Sequence, residues 1–576
     1  MQTETAAVVD RTPREAQHVT DSPIPPPTTF NLVDAPWVSC DRSDGTQALL
    51  SLREVFDQAS TLSRVTGESP LQATAVLRVL LAIFWRAHIE YGDLPDADPS
   101  DWWTEQFTGE GDLKGPVEDY LSQHRGRFDL VSSAAPFMQV PDLQKKDGSF
   151  DEPSRLIPEA ESEYFTLREG VGRERLDLAE AARWLVTAHA YDYSGIKPGA
   201  LGDPRVKGGK GYPIGPGWAG QAGIVVLHGR TLRETLLLNT PVRQLQTSAD
   251  DGRDLPAWEQ KPAAAQPRHE EASTPAGPCD VLTWQSRRIR LHLRGETVSG
   301  VLISNGDKIE NKNQFADPMT GYRYSRNQSN KSKQVFMAQE HDEAMTAWRS
   351  LAPLLSRENV VESQRKGEPI GKQPQTLEWL HELRSDQHLQ RDTPVSVELV
   401  GAVYGAQQSS VTNTISTSLP FSLTFLLAGD TTLDRAAVQA AAVSMSSTVV
   451  LGQFAGGLLQ AAGGDYEFRP EPRAAVLHRL EHQFREWLRA LVPGVEPDAH
   501  SQSWQHTVRR EVIAEARTLL RSAGPQAYVG RLEGEEKPRL VSAATLWSRL
   551  HRRLDEALPL TAPAPSTPAQ EIEHVS

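Results

Sequence analysis

The spacing of apolar residues divides the chain into two regimes. After about residue 430, apolar positions recur every three or four residues in four stretches, 433–462, 474–491, 501–522 and 540–558, broken by Gly463-Gly464, Pro493-Gly494 and Gly524-Pro525. This is the helical period punctuated by residues that end helices. In the second stretch Val476, Leu480, Phe484, Trp487, Leu488 and Leu491 fall on one stripe, with Arg, Glu and His opposite, as expected of a helix with one face buried. The pattern predicts a four-helix bundle over 430–558.

Before residue 430 the pattern is mixed. Phe30 to Val38 reads as a short strand that meets Pro36, a helix is expected near Leu52 to Ala59, and Leu71 to Tyr91 is a long apolar helix. The last has about the length of a membrane span, but Gln72, Arg78, Arg86 and His88 interrupt it, so it reads as a buried core helix and no membrane association is expected. Ile224 to Leu227 reads as a strand, Leu232 to Leu238 as its connection, and Arg288 to Leu293 alternates as a strand does. The predicted fold class is therefore α+β: a large mixed domain over 29–425, then the bundle. Residues 1–28 lack the apolar run of a secretory signal and read as a disordered leader. Residues 250–278, rich in Ala, Pro and Glu, read as a flexible insertion, and 559–576 as a Pro/Ala-rich disordered tail.

Composition narrows the chemistry. The 576 residues contain only Cys40 and Cys279, which excludes a disulfide framework or an all-cysteine zinc site and fits a reducing, cytoplasmic setting. A formal charge of −15 argues against coating nucleic acid by bulk electrostatics, so any polyanion site must be local. His478-Arg479-Leu480-Glu481-His482 matches H-x-x-E-H, the spacing that places two imidazoles on a zinc ion. A zinc-dependent hydrolase using His478, Glu481 and His482 is the enzyme alternative, against the commoner reading of surface residues on a helix that already has a full apolar stripe. Gly215-Pro216-Gly217-Trp218-Ala219-Gly220 satisfies G-x-G-x-x-G but precedes a strand rather than following one, so dinucleotide binding is rejected. The preferred reading contains no catalytic group, metal or cofactor.

Two basic stretches remain. In 197–210, four cations (Lys197, Arg205, Lys207, Lys210) against Asp203 give a local charge of +3 within a glycine-rich run. Glycine lets a partner's backbone approach closely, and lysines beside exposed N–H groups suit phosphate. From 308 to 333, Lys308, Lys312, Arg323, Arg326, Lys331 and Lys333 against Glu310 and Asp317 give +4, with Tyr322 and Tyr324 placed to stack on bases. Gln407 and Gln408 lie in a small polar turn between apolar segments, suited to capping the turn or to hydrogen-bonding bases.

In order, the opening Phe30-Asn31-Leu32-Val33-Asp34-Ala35-Pro36-Trp37, the Pro136-Phe137-Met138-Gln139 segment, the glycine-rich loop leading to Thr235-Leu236-Leu237-Leu238-Asn239, and the terminal bundle resemble the CasA family, the large subunit of the type I-E CRISPR surveillance complex, Cascade. The resemblance implies a non-catalytic antiviral DNA reader that recognises the protospacer-adjacent motif (PAM) as duplex, starts strand separation and helps recruit a helicase-nuclease. It implies a glycine loop at Lys207, Gly208, Gly209, Lys210 and Gly211, a lysine finger at Lys308 (or Lys312), a glutamine wedge at Gln408 with Gln407, and contact of Phe165, Thr166 and Leu167 with the crRNA 5′ handle. Its implied partners are the other Cascade subunits, crRNA, target double-stranded DNA and the helicase-nuclease. A loop with little side chain reads the minor groove by width and shape, and guide pairing then supplies sequence specificity.

Overall fold

The computed structural model describes residues 29–157, 170–249, 252–268, 273–341, 371–390, 393–419, 431–492, 494–533 and 538–562. Mixed helix and sheet is followed by a C-terminal helical region, as expected.

The first sheet has order β2-β1-β3, all antiparallel: β1 Val38–Arg42, β2 Gln47–Leu50 and β3 Leu62–Val65. The strand expected over Phe30 to Val38 is displaced: Leu32 and Val33 are buried in a turn, tied by the Asn31 side chain to Val33 N–H at 3.1 Å, and β1 begins at Val38. Helix α1, Leu52–Asp57, opens with a Ser51/Glu54 capping box. Helix α2, Pro70–Glu90, has Pro70 at its first turn and Ser69 as N-cap. It is buried along most of its length because neighbours cover every side, and its Arg78 is neutralised inside the core by Asp317 at 2.8 Å. Helix α3, Leu178–Tyr191, packs on α2.

Short strands β4 (Lys197–Pro198) and β5 (Lys210–Gly211) pair with each other. Strand β6, Ile224–His228, is the expected one, and Leu232–Leu238 after it is a helix. Strands β7 (Arg287–Arg294) and β8 (Thr297–Asn305) form a hairpin. Strand β9 (Tyr322–Tyr324) pairs with β10 (Phe336–Ala338). Strand β11 (Ser396–Tyr404) runs antiparallel between β6 and β12 (Val411–Leu419).

The stretch 250–278, expected to be a flexible insertion, is instead anchored where it is described. Trp258 is buried against Phe128 and Phe137 and donates to the Tyr120 hydroxyl, while Arg268 pairs with Asp307 at 2.8 Å. Proline and alanine gave it a loop's composition, but one buried indole fixes it.

The C-terminal region contains four long helices: α4 Thr431–Ala461, α5 Pro470–Ala490, α6 Pro497–Ser522 and α7 Ala543–Ala557. Helix α4 packs on the other three. All six residues of the apolar stripe, Val476 to Leu491, are buried. Between α6 and α7 lie a short helix, Gly524–Val529, and a hairpin of β13 (Arg531–Glu533) and β14 (Arg539–Val541), which the periodicity did not announce. Residues 559–562, expected to begin a disordered tail, dock on α6 through Leu560 N–H to Gln505 Oε1 at 2.9 Å. The expected leader and the rest of the expected tail lie outside the described residues. Among the described residues two helical spans are long and apolar enough to cross a membrane, Pro70–Glu90 and Arg435–Ala461, and both are largely buried in the fold.

A candidate nucleic-acid interface

The glycine-rich loop is a hairpin. Lys207 N–H donates to the Lys210 carbonyl at 3.0 Å and Lys210 N–H to the Lys207 carbonyl at 3.1 Å, enclosing Gly208 (φ 59°) and Gly209 (φ 74°). Two consecutive left-handed residues make the tight turn that suits the strand twist, and glycine adopts it without the cost of a Cβ. At the root, Gly199 N–H donates to the Gly209 carbonyl at 2.9 Å; a Cβ on Gly199 would lie 2.8 Å from that oxygen.

The local charge of +3 does not reach the surface whole. The Lys197 side chain is fully buried, with Nζ 2.7 Å from Asp192 and 3.9 Å from the centre of the Tyr193 ring. Burial pulls its pKa down to about 8 against the opposing pull of Asp192. Arg205 is folded inward onto Asp203. Lys207 and Lys210 are the exposed cations at the tip. Counting charge inside a sequence window missed Asp192, five residues upstream of Lys197.

Arg205 also joins the hairpin to the end of β8, donating to the carbonyls of Gly306 at 2.9 Å and Asn305 at 3.2 Å. Two further bonds tighten the seam: Ser304 Oγ to the Pro198 carbonyl at 2.8 Å, and Asn305 Nδ2 to the Tyr212 carbonyl at 2.6 Å. Asp307 is held by Arg288 and Arg268, which together keep its carboxyl below the usual range although burial alone would raise it. Lys308 follows directly. It is exposed and makes no ion pair among the described residues, while its carbonyl accepts from Ser273 N–H at 2.8 Å. Lys312 is exposed as well. Tyr322 and Tyr324 do not interleave with arginines as stacking residues. Tyr322 is buried beside Phe315, and Tyr324 packs on Phe336, because β9 turns both toward the interior.

Gln407 and Gln408 stand at the tip of the β11–β12 hairpin, exposed, both at φ 55°. Left-handed backbone in non-glycine residues costs on the order of 1–2 kcal/mol each, and here the turn is closed by Gly405 N–H to the Ser410 carbonyl at 3.0 Å and Gln408 N–H to the Gly405 carbonyl at 2.9 Å. A cleft of about 1050 Å³ is lined both by Gly195, Ile196 and Pro198 from the root of the glycine hairpin and by Ser409 to Thr414, which follow the glutamine turn. The glycine hairpin is thus bonded to the segment that leads into Lys308, and its root shares a cleft with the residues that follow the glutamine turn. No sequence signal marks the cleft, since its walls are some two hundred residues apart in the chain. Phe165, Thr166 and Leu167 lie outside the described residues.

The zinc alternative fares differently. His482 has a side chain 78% exposed and pairs with Glu486 at 3.3 Å, and Glu481 is held by Arg485 at 2.9 Å. The only cluster of metal-ligating groups among the described residues is elsewhere, Glu90, His124 and Glu259. There Arg86 already supplies the cation, at 2.8 Å from Glu259 and 3.2 Å from Glu90.

Residues 31–514 match the family described as CRISPR-associated protein Cse1. The chain belongs to the Cse1 family. Among solved structures, Thermobifida fusca Cse1 is 36% identical, with 93% of this chain and 99% of that one superposed at a TM-score of 0.76. The Thermus thermophilus CasA/Cse1 protein is 29% identical over 338 residues, 57% of this chain and 61% of that protein's length. A chain of a CRISPR RNA-guided surveillance complex has the same fold at 18% identity and a TM-score of 0.63, over 86% of this chain and all of that one. CasA and Cse1 are two names for one family, so the resemblance read from the sequence is confirmed. In this Cse1 chain the matched span ends inside α6, and the fold continues to residue 562.

Proposed function

We propose that this Cse1 chain is the duplex-reading subunit of a crRNA-guided surveillance complex in the cytoplasm, and that it is non-catalytic. In this reading residues 29–425 recognise the protospacer-adjacent motif. Lys207 to Gly211 enter the minor groove, Lys308 contacts a phosphate or groove edge, and Gln408, backed by Gln407, starts strand separation. The observation that supports the reading is the stitching of an exposed glycine turn to the Lys308 segment through Arg205, with a cleft shared by the root of that hairpin and the residues that follow an exposed glutamine turn. The chemistry follows. Groove approach needs backbone without side chains, phosphate needs an unpaired ammonium, and unstacking is offset by polar groups at the opened step. Residues 430–558 pack on neighbouring subunits and help hold the displaced strand, Phe165 to Leu167 contact the crRNA 5′ handle, and the opened complex recruits a helicase-nuclease.

The test uses Lys308→Ala and Gln408→Ala in the assembled complex with target duplex. Each weakens duplex binding roughly tenfold, equivalent to about 1.4 kcal/mol, with subunit assembly intact. Lys308→Ala also lowers the slope of log K against log salt by about 1. Unchanged affinity and slope in both variants would refute the assignments.

A further inference from the structure

A groove of about 500 Å³ runs between α4 and α7 in the C-terminal region. The buried part of its lining is aliphatic, with Leu546 and Leu550 of α7 beside the half-buried Val450 of α4. Gly457 lets the helices close on each other, since a Cβ there would lie 2.7 Å from the Leu546 side chain. The exposed part is cationic. Arg549 and Arg553 both line the groove, both are exposed, and neither makes an ion pair among the described residues. No carboxylate lines the groove among those residues. Like charges one helical turn apart repel, and an apolar strip beside them gains by being covered. Phosphates would meet the two guanidinium groups but leave the aliphatic strip bare. An acidic segment that also carries an aliphatic side chain satisfies both.

The chain holds such a segment close by. Residues 559–562 dock on α6, through Leu560 N–H to Gln505 and Gln502 Nε2 to the Leu560 carbonyl. Residues 563–570, outside the described residues like all that follows them, contain three prolines and no charge; Glu571-Ile572-Glu573-His574-Val575 comes next. Glu571 and Glu573 are the only acidic residues after Ala562, and they flank Ile572. The spacings match. Arg549 and Arg553 are about 6 Å apart along α7, and residues two apart in an extended chain are about 6.6 Å apart with the one between pointing the opposite way. Reach is sufficient as well. From Arg553 to Ala562 the chain covers at most about 23 Å, four helical steps and five extended ones. From Ala562 to Glu571, nine extended steps cover about 30 Å.

We infer that residues 571–575 dock in cis in the α4–α7 groove, Ile572 on the aliphatic strip and Glu571 and Glu573 on Arg549 and Arg553. The inference is independent of the duplex-reading role proposed above.

The test uses the full-length chain with spin labels on Ser548→Cys, exposed on α7, and Ser576→Cys; both native cysteines are buried and stay unlabelled. Electron–electron double resonance then reads the distance between α7 and the chain end. The distribution should be about twofold narrower than in an Arg549→Glu, Arg553→Glu protein, because a short tether gives a millimolar effective concentration that keeps even a contact of about 0.1 mM mostly closed. Glu571→Lys with Glu573→Lys, which leaves the described fold untouched, should broaden it equally. Combining the two reversals should restore the narrow distribution. Equal widths in the wild-type and tail-reversed chains overturn the inference, as does a combined variant that stays broad. Dilution with about a tenfold excess of unlabelled chain should leave the distance unchanged; its loss would show that the segment enters the groove of a second copy, and would overturn docking in cis.

Discussion

Removing the Arg205 side chain should loosen the seam that holds the glycine hairpin to the end of β8, leaving the Ser304 and Asn305 bonds in place. Arg205 makes four side-chain bonds: Nε and Nη2 to the two Asp203 oxygens at 3.0 and 2.9 Å, and Nη1 and Nη2 to the Gly306 and Asn305 carbonyls at 2.9 and 3.2 Å. Each is worth about 1 kcal/mol net. Arg205→Ala also strands Asp203, whose side chain is only 3% exposed, and breaking a buried pair costs about 3–5 kcal/mol. Because Arg205 itself is 26% exposed, water refills part of the space and the loss settles at about 2–3 kcal/mol. Hydrogen exchange reads this locally. The Gly199 amide, bonded to the Gly209 carbonyl, and the Lys210 amide, bonded to Lys207, should exchange about 30- to 150-fold faster, at 1.4 kcal/mol per tenfold. Asp203→Asn in the same background should recover part of the protection, since a neutral amide tolerates burial better than an unpaired carboxylate. Unchanged protection in Arg205→Ala would mean that the hairpin is held by its own backbone pairs, and the stitching argument would fail.

The remaining predictions concern the scaffold. Burial alone would raise the Asp192 pKa, but Lys197 and Arg287 hold it at about 2, against an ordinary 3.8. Its contribution of about 2 kcal/mol is therefore complete above pH 4 and lost as pH falls toward 2. Asp192→Asn should lower the urea midpoint at pH 7 and flatten the loss of stability between pH 4 and 2; an acid slope identical to wild type would contradict this. A Cβ on Gly220 would lie 1.9 Å from the Tyr404 hydroxyl, which donates to the Tyr191 carbonyl at 2.7 Å. Gly220→Ala should therefore cost about 1–3 kcal/mol through overpacking, seen as a lower denaturation midpoint with altered near-ultraviolet dichroism around Tyr404. An unchanged midpoint would show that Tyr404 moves aside freely.

The C-terminal helical region was legible because its information is local. Val476 to Leu491 repeat at the helical period, and that stripe is buried as a unit. Gly524-Pro525 was readable as a break, yet Pro525 is also suited to a helical first turn, and a short helix starts there. In the mixed region, strand-like composition around Leu32 and Val33 was overridden by the Asn31 side chain, which fixes a turn. The glycine hairpin and the Lys308 segment were visible as segments. Their adjacency was not, because it depends on Arg205 and Ser304 reaching residues about a hundred positions away. Nor can composition tell a solvated lysine from one sealed beside a carboxylate, as Lys197 is.

Gly208 and Gly209 differ in kind from Gly199 and Gly220. Around the latter two the interior is already full, whereas among the described residues nothing lies within 4 Å of where a side chain would begin at the turn. Handedness of the backbone, not crowding, accounts for glycine there. The fold leaves the outer aspect of that bend as bare peptide, so any intolerance of a residue suited to the same backbone, such as asparagine, would originate in what the bend touches and not in the protein that carries it.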